Sequence, residues 1–236
     1  MAERLNKLGQ PIGPGMPDDW NGCEPPPRKV TVGQYCRLVP FVLADHAEPL
    51  YKAFSCDDSD ANWTYLSYGP FDSLETFRDW LQESCTGDDP MFFVFEEVAS
   101  GEVVGMAAFM NIKSALGSIE VGNVHFSNAM QRTPVATEAM YLMMVNAFDE
   151  LGYRRYEWKC DALNARSRKA AKRLGFSYEG VFRQAMIYKG RSRDTAWFAM
   201  VDNEWDKVKE AYLAWLDPAN FDEAGIQRQR LLVELP

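Results

Sequence analysis

The stretch VHFSNAMQRTPVATEA, Val124 to Ala139, decides the fold. It begins with the alternation of a strand and ends in a run that places Ala136, Met140, Met143, Ala147 and Leu151 at three- and four-residue spacing, which predicts a helix over 134–151 with one buried stripe. Passing from a strand through a short turn into a helix sets backbone N–H groups and the positive end of a helix dipole beside a strand end, a ready site for an anion. Pro134 stands where a glycine would allow the closest approach. With Thr133 as the N-cap, however, Pro134 takes the first helical position, where the helix has no use for the missing N–H and the fixed φ is suitable. Val135, Ala136 and Thr137 keep their N–H groups for a phosphate. A Thr-Pro helix entrance is also an ordinary cap, so the stretch needs corroboration from its surroundings.

Upstream, the pattern predicts a strand at Thr31–Val39, a helix at Ala44–Ser55, an aromatic loop NWTYLSYGPF (62–71) and a helix at Ser73–Cys85 with Ser73 as its cap. Strands follow at Met91–Val98, Val103–Ile112 and Ser118–Ser127, joined by the turn signals ASGE and SALG. Downstream come a strand at Arg154–Ala162, a helix at Asn164–Gly175 closed by its glycine, a hairpin of VFRQAMIY and DTAWFAMV around KGRS, and a helix at Glu204–Leu216 that aligns Trp205, Val208, Tyr212 and Trp215. The strand–helix–strand crossover from Ser118 to Ala162 implies a mixed sheet covered by helices. The tail from Phe221 has no readable pattern. Residues 1–29 hold six of the thirteen prolines, and they read as an extended Pro/Gly-rich arm. Residues 30–202 then form the main domain and 203–236 a terminal helix and tail. Trp20 suggests that the arm either packs on the body or a second subunit, as in a homodimer, or is a disordered leader.

Composition narrows the function. Thirty-four acidic against twenty-five basic residues, a net charge of −9, oppose binding to nucleic acid. Two histidines cannot build a multi-histidine metal site, and five irregularly spaced cysteines give neither a disulfide framework nor a zinc knuckle, so no metal is expected. No apolar run reaches the roughly 18–20 residues of a membrane span. The expectation is a soluble, cytoplasmic protein without a membrane partner.

One strand after the opening stretch comes NARSRKAAKRLGFSYEGVFRQ (164–184). Gln131-x-x-Pro134-x-Ala136 fits a Q/R-x-x-G-x-G/A signature except at its first glycine. Asn164, Ser167 and Leu174-Gly175-Phe176 fit a second block, N-x-x-S ending in L-G-F. On these two marks the chain resembles the GNAT superfamily of N-acetyltransferases, within it the subgroup that includes ribosomal-protein N-terminal acetyltransferases. The resemblance covers roughly residues 31–202 and is most specific from Glu120 to Arg183. It implies an α/β (α+β) fold with a mixed, mainly antiparallel sheet, splayed between the strands Ser118–Ser127 and Arg154–Ala162, and helices on both faces. Acetyl-CoA, used as co-substrate, would lie in that gap. The pantetheine would pair with Val124, His125 and Phe126 as an added strand, and the diphosphate would rest on the loop of Gln131, Arg132, Thr133, Val135, Ala136 and Thr137. Asn164 would reach the pantetheine arm. Arg168, or a neighbour on a helix face that is otherwise simply solvated, would meet the ribose phosphate.

The reaction implied is direct attack of an acceptor amine on the thioester, with the reactants held together in one cleft. An alkyl amine with a pKa of about 10.4 is protonated at neutral pH, so a base is required. The resemblance gives that role to Glu120, whose plainer reading is a salt-bridge partner; Glu157 is the fallback. Many relatives place a tyrosine, as acid for the leaving thiolate, where this chain has Ala171. Ser167 is the substitute candidate, with cofactor binding or helix structure as its alternatives. Cys160 is a possible acyl carrier or a buried strand cysteine, and His125 a proton relay or a structural histidine. Trp63, Tyr65 and Tyr68 make an aromatic wall for the acceptor or a packed lid. Asp194 is expected to pair with a nearby arginine. The preferred function is acetylation of a small primary amine. Two alternatives stand beside it, a protein N-terminal acetyltransferase and a GNAT-shaped protein that binds acyl-CoA without turnover.

Overall fold

The computed structural model describes residues 4–55, 60–223 and 225–233; Cys56 falls outside them. Ten strands and five α-helices follow in the order β1 (Arg4–Leu5), β2 (Pro11–Ile12), β3 (Thr31–Val32), β4 (Cys36–Pro40), α1 (Leu43–Ser55), α2 (Leu74–Ser84), β5 (Met91–Glu97), β6 (Val103–Lys113), β7 (Ser118–Phe126), α3 (Pro134–Val145), β8 (Arg155–Asp161), α4 (Ala165–Arg173), β9 (Ser177–Tyr188), β10 (Arg191–Val201) and α5 (Asp202–Leu216). Eight strands form one sheet in the order β3-β4-β5-β6-β7-β8-β10-β9. Every neighbouring pair is antiparallel except β7 and β8.

The central strands are buried on both faces, so their apolar residues alternate between two cores rather than between core and solvent. On β5, Met91, Phe93 and Phe95 join the core under α3 and α5, whereas Phe92 and Val94 join an aromatic core under α1 and α2. Ser73 caps α2 as expected, in a capping box with Thr76.

Three local expectations are corrected. Thr31–Val39 is not one strand but a tight hairpin of β3 and β4, because the N–H groups of Gln34, Tyr35 and Cys36 turn away from the ladder to the buried Glu138 carboxylate. The helix expected over 134–151 is α-helical only to Val145, and Asn146–Glu150 form a π turn. The arm contains a small β1–β2 hairpin despite its prolines.

The arm packs on the body. The Cys23 N–H donates to the Ser114 carbonyl at 2.9 Å, the Tyr153 hydroxyl to the Glu24 carbonyl at 3.2 Å, and Trp20 closes on Gly117. It therefore lines the loops at the start of β7 and β8, and the turn after β7 lies about 30 Å further along at a strand's rise per residue. No helix among the described residues is long and apolar enough to cross a membrane.

Candidate active site

The sheet parts in its middle. β7 and β8 pair in parallel from Ser118↔Arg155 to Val121↔Trp158, after which β7 continues along β6 and β8 along β10. A bulge causes the parting: from Gly122 to His125 β7 takes three steps where β6 takes two, and Asn123 absorbs the extra residue at φ +51°. Asparagine tolerates this left-handed conformation, and a bulge bends the strand that carries it. Between Gly122 and Phe126 the backbone edge of β7 that faces β8 has no ladder partner among the described residues, which leaves an internal slot able to accept an extended ligand.

Beyond the slot the chain enters α3 as expected. Thr133 is the N-cap and Pro134 the first helical residue. The Thr133 hydroxyl donates to the Met130 carbonyl at 2.6 Å and accepts from the Ala136 N–H at 3.4 Å, a long bond that an anion could replace. Gln131 folds the turn onto the strand end by donating to the Phe126 carbonyl at 3.1 Å. Arg132 is exposed, in the left-handed region at φ +66°. The Val135 side chain is core, and the hydroxyl of the buried Thr137 accepts from Arg173 of α4 at 3.2 Å.

Just inside the parting, Glu120 and Glu157 face each other across β7 and β8. Lys159 lies between them, 2.6 Å from Glu120 Oε2 and 2.7 Å from Glu157 Oε2, with its ammonium 4.0 Å above the centre of the Trp197 ring. Asn111 adds a second donor to Glu120 Oε2 at 2.7 Å. Burial pushes the Glu120 carboxyl above its ordinary pKa, against the pull of Lys159 and Asn111. Burial acts on Glu157 in the same sense, but there the bonds from Lys159 and Arg155 prevail and its pKa falls. Glu157 has both oxygens occupied, by Arg155 and Lys159, and so is a poor substitute for Glu120 as a base.

On the other side of the slot, Asn164 caps α4, its Oδ1 accepting from the Ser167 N–H at 3.0 Å. Ser167 Oγ accepts the Trp158 indole N–H at 3.0 Å, and its hydroxyl also bonds the Cys160 sulfur. Arg168 is tied to the Ala162 carbonyl at 3.2 Å rather than extended to solvent. Burial raises the Cys160 pKa, and its side chain belongs to the core, as expected of a strand cysteine rather than a nucleophile.

The aromatic wall divides. Trp63 is buried and Tyr68 stacks on Trp80 at 4.0 Å, both packed in the α1–α2 core. His125 stacks on Phe54 at 3.8 Å and meets the Trp63 edge at 4.3 Å; burial pushes its pKa down to about 3, and its Nδ1 has no hydrogen-bond partner among the described residues. It is therefore a neutral packing residue here. Only Tyr65 spans the slot, its hydroxyl donating to the Leu163 carbonyl at 3.3 Å. Lys189 and Arg191, at the tip of the β9–β10 hairpin, bind the carbonyls of Trp63 and Thr64 at 2.8 and 2.7 Å, so residues 63–65 form a strap between the two halves. Asp194 accepts from the Gln184 N–H at a β9 bulge instead of pairing with an arginine.

Sequence reasoning missed Lys159. The signal was present in RYEWKCD, where Arg155, Glu157, Lys159 and Asp161 alternate with core residues and so share one strand face.

The comparisons agree with this geometry. Residues 36–177 match the acetyltransferase (GNAT) domain family. A GCN5-related N-acetyltransferase from Brucella melitensis is 46% identical, with a TM-score of 0.88 over 90% of this chain and 96% of that one. A probable acetyltransferase of the GNAT family from Chromobacterium violaceum is 40% identical, with a TM-score of 0.77 over 84% and 99%. The ribosomal-protein-serine acetyltransferase of Escherichia coli is 23% identical over 164 residues, 68% of this chain and 89% of its own length. A domain match across more than half of the chain, on a sheet parted as the motifs required, places this protein in the GNAT acetyltransferase family.

Proposed function

We propose that the chain acetylates a small primary amine by direct attack on acetyl-CoA in a ternary complex, with Glu120 taking the proton that the amine must lose. The observation that carries this reading is the position of Glu120 one residue before the β7–β8 ladder opens. Acetyl-CoA supplies an acetyl thioester. The free edge of Val124–Phe126 would hold its pantetheine, and the turn from Gln131 to Ala136 its diphosphate, with the Val135 and Ala136 N–H groups as donors. Asn164 and Arg168 flank the slot from α4. As the amine nitrogen bonds to the carbonyl carbon, the C–S bond breaks, the amine's proton passes to Glu120 directly or through water, and Ser167 can donate to the departing sulfur. The strap at residues 63–65 narrows the acceptor side, which favours a small amine over a folded protein surface. A protein N-terminus is the second reading, supported by the ribosomal relative.

The test pairs calorimetric titration with acetyl-CoA and an acetylation screen of small amines and N-terminal peptides, for the wild type and Glu120→Gln. The variant is expected to bind acetyl-CoA like the wild type and to lose about 100-fold or more in kcat. A folded wild type that does not bind acetyl-CoA overturns the proposal. Binding without turnover on any acceptor would leave an acyl-CoA-binding protein.

A further inference from the structure

The two oxygens of Glu120 are treated differently. Oε2 receives both donors, Lys159 Nζ at 2.6 Å and Asn111 Nδ2 at 2.7 Å. Oε1 has no hydrogen-bond partner among the described residues. It lies beside Gly122, 3.7 Å from the point a Cβ there would occupy, and so toward the stretch of β7 where pairing with β8 has ended. Gly122 keeps that approach clear; any side chain on it would also run into Met110.

Lys159 sets this asymmetry. Its ammonium is held from three sides, by Glu120, by Glu157 and by the face of Trp197, and its side chain is only 14% exposed. A cation fixed in this way has little freedom to swing to the other oxygen. We propose that Lys159 is a positioning residue for the reaction inferred above: it fixes Glu120 as a carboxylate with Oε2 anchored and Oε1 turned to the slot, so that the proton of the acceptor amine is received on Oε1. This inference rests on the acetyltransferase reading, and it adds the residue that readies the base and the atom that takes the proton.

Every charged group around Glu120 enters the expected pH behaviour. β8 supplies Lys159 and Glu157, and behind Glu157 stands Arg155, paired in turn with Glu179 of β9. β6 supplies the neutral Asn111, whose backbone N–H is held by Asp89 from the loop before β5, and β10 supplies the uncharged Trp197. Among the described residues Lys159 is the one cation in direct contact with Glu120, and Glu157 is the anion that competes for it.

Two variants should move the titration of Glu120 in opposite directions. Lys159→Met leaves two facing carboxylates without their shared cation, so Glu120 should hold its proton to a pH higher by about one unit or more. Glu157→Gln removes the competing anion and commits Lys159 to Glu120, so Glu120 should titrate lower than in the wild type. Lys159→Arg should stay near the wild type. The measurements are the carbon-13 carboxyl shift of Glu120 against pH and the acidic limb of the kcat/KM profile, which should move together. If Lys159→Met does not fold, the downward movement in Glu157→Gln is the deciding result. An unmoved titration in the folded variants, or slower turnover on an unshifted acidic limb, overturns the inference and leaves Lys159 a structural ion pair. A wild type that shows the expected titrations but acetylates nothing would instead overturn the acetyltransferase reading, so the two failures are distinguishable.

Discussion

Glu120 on β7 and Glu138 on α3 are buried to the same extent, 4% and 5% exposed, yet one sits on the open face of the parted sheet and the other beneath a hairpin. Glu138 receives three backbone N–H groups, from Gln34 at 2.9 Å and from Tyr35 and Cys36 at 2.6 Å, spread over both oxygens. Those donors cannot leave without unmaking the β3–β4 turn. Glu120 is held on one oxygen only, by two side chains. A buried carboxylate with both oxygens committed to fixed backbone is part of the frame, whereas one with an uncommitted oxygen beside a slot can exchange a proton. The difference lies in the donors and not in the residue.

The largest stability effect expected from this contrast belongs to Glu138. Replacing it by Gln sets an NH2 group against backbone donors, and thermal unfolding should show a loss of about 3 kcal/mol. Glu120→Gln should unfold much closer to the wild type, since its damage falls on turnover. Equal stability losses in the two variants would erase the distinction.

Gly122→Ala probes the open side of Glu120. The new Cβ meets Met110, and overpacking of this kind costs about 2 kcal/mol. Adding Met110→Ala should restore most of the stability but leave kcat reduced about tenfold, because the methyl still stands beside Oε1. Recovery of both would show that the space over Gly122 serves packing alone.

The smallest effect concerns His125. Its folded pKa of about 3 lies below the ordinary value near 6.5, so the unfolded chain takes up a proton that the folded chain refuses, and stability falls as the pH drops from about 6.5 toward 3. At pH 5.5 the cost is about 1.4 kcal/mol. His125→Leu should remove that share of the loss between pH 7 and pH 5.5. His46, also lowered by burial, should keep a part of it in both proteins. Equal pH dependence with and without His125 would mean that water reaches its ring.

Much of this architecture was legible in the sequence. β5, β6 and β7 followed from short apolar runs bounded by turn residues, and the entrance of α3 from Thr133 and Pro134, because turn and cap chemistry are local. The β3–β4 hairpin was not legible, since the acceptor for its turn amides is Glu138, about a hundred residues away. The π turn after Val145 has no marker in an apolar run that suits either helix. Glu120 stands on β7 and Asn164 and Ser167 at the start of α4, the elements on which the sequence reading puts them. The Thr137 hydroxyl accepts from Arg173 and Arg168 donates to the Ala162 carbonyl, through contacts that no spacing encodes.

What the sequence determined by itself is the order of strands and helices, the anion-ready turn at Thr133 and the glutamate on the strand before it, because short-range sterics and hydrogen bonding fix these. The tertiary structure alone decided which polar atoms stay uncommitted. That property depends on the whole set of partners gathered from distant strands, and Lys159, Asn111 and Gly122 together leave one oxygen of Glu120 open to the slot.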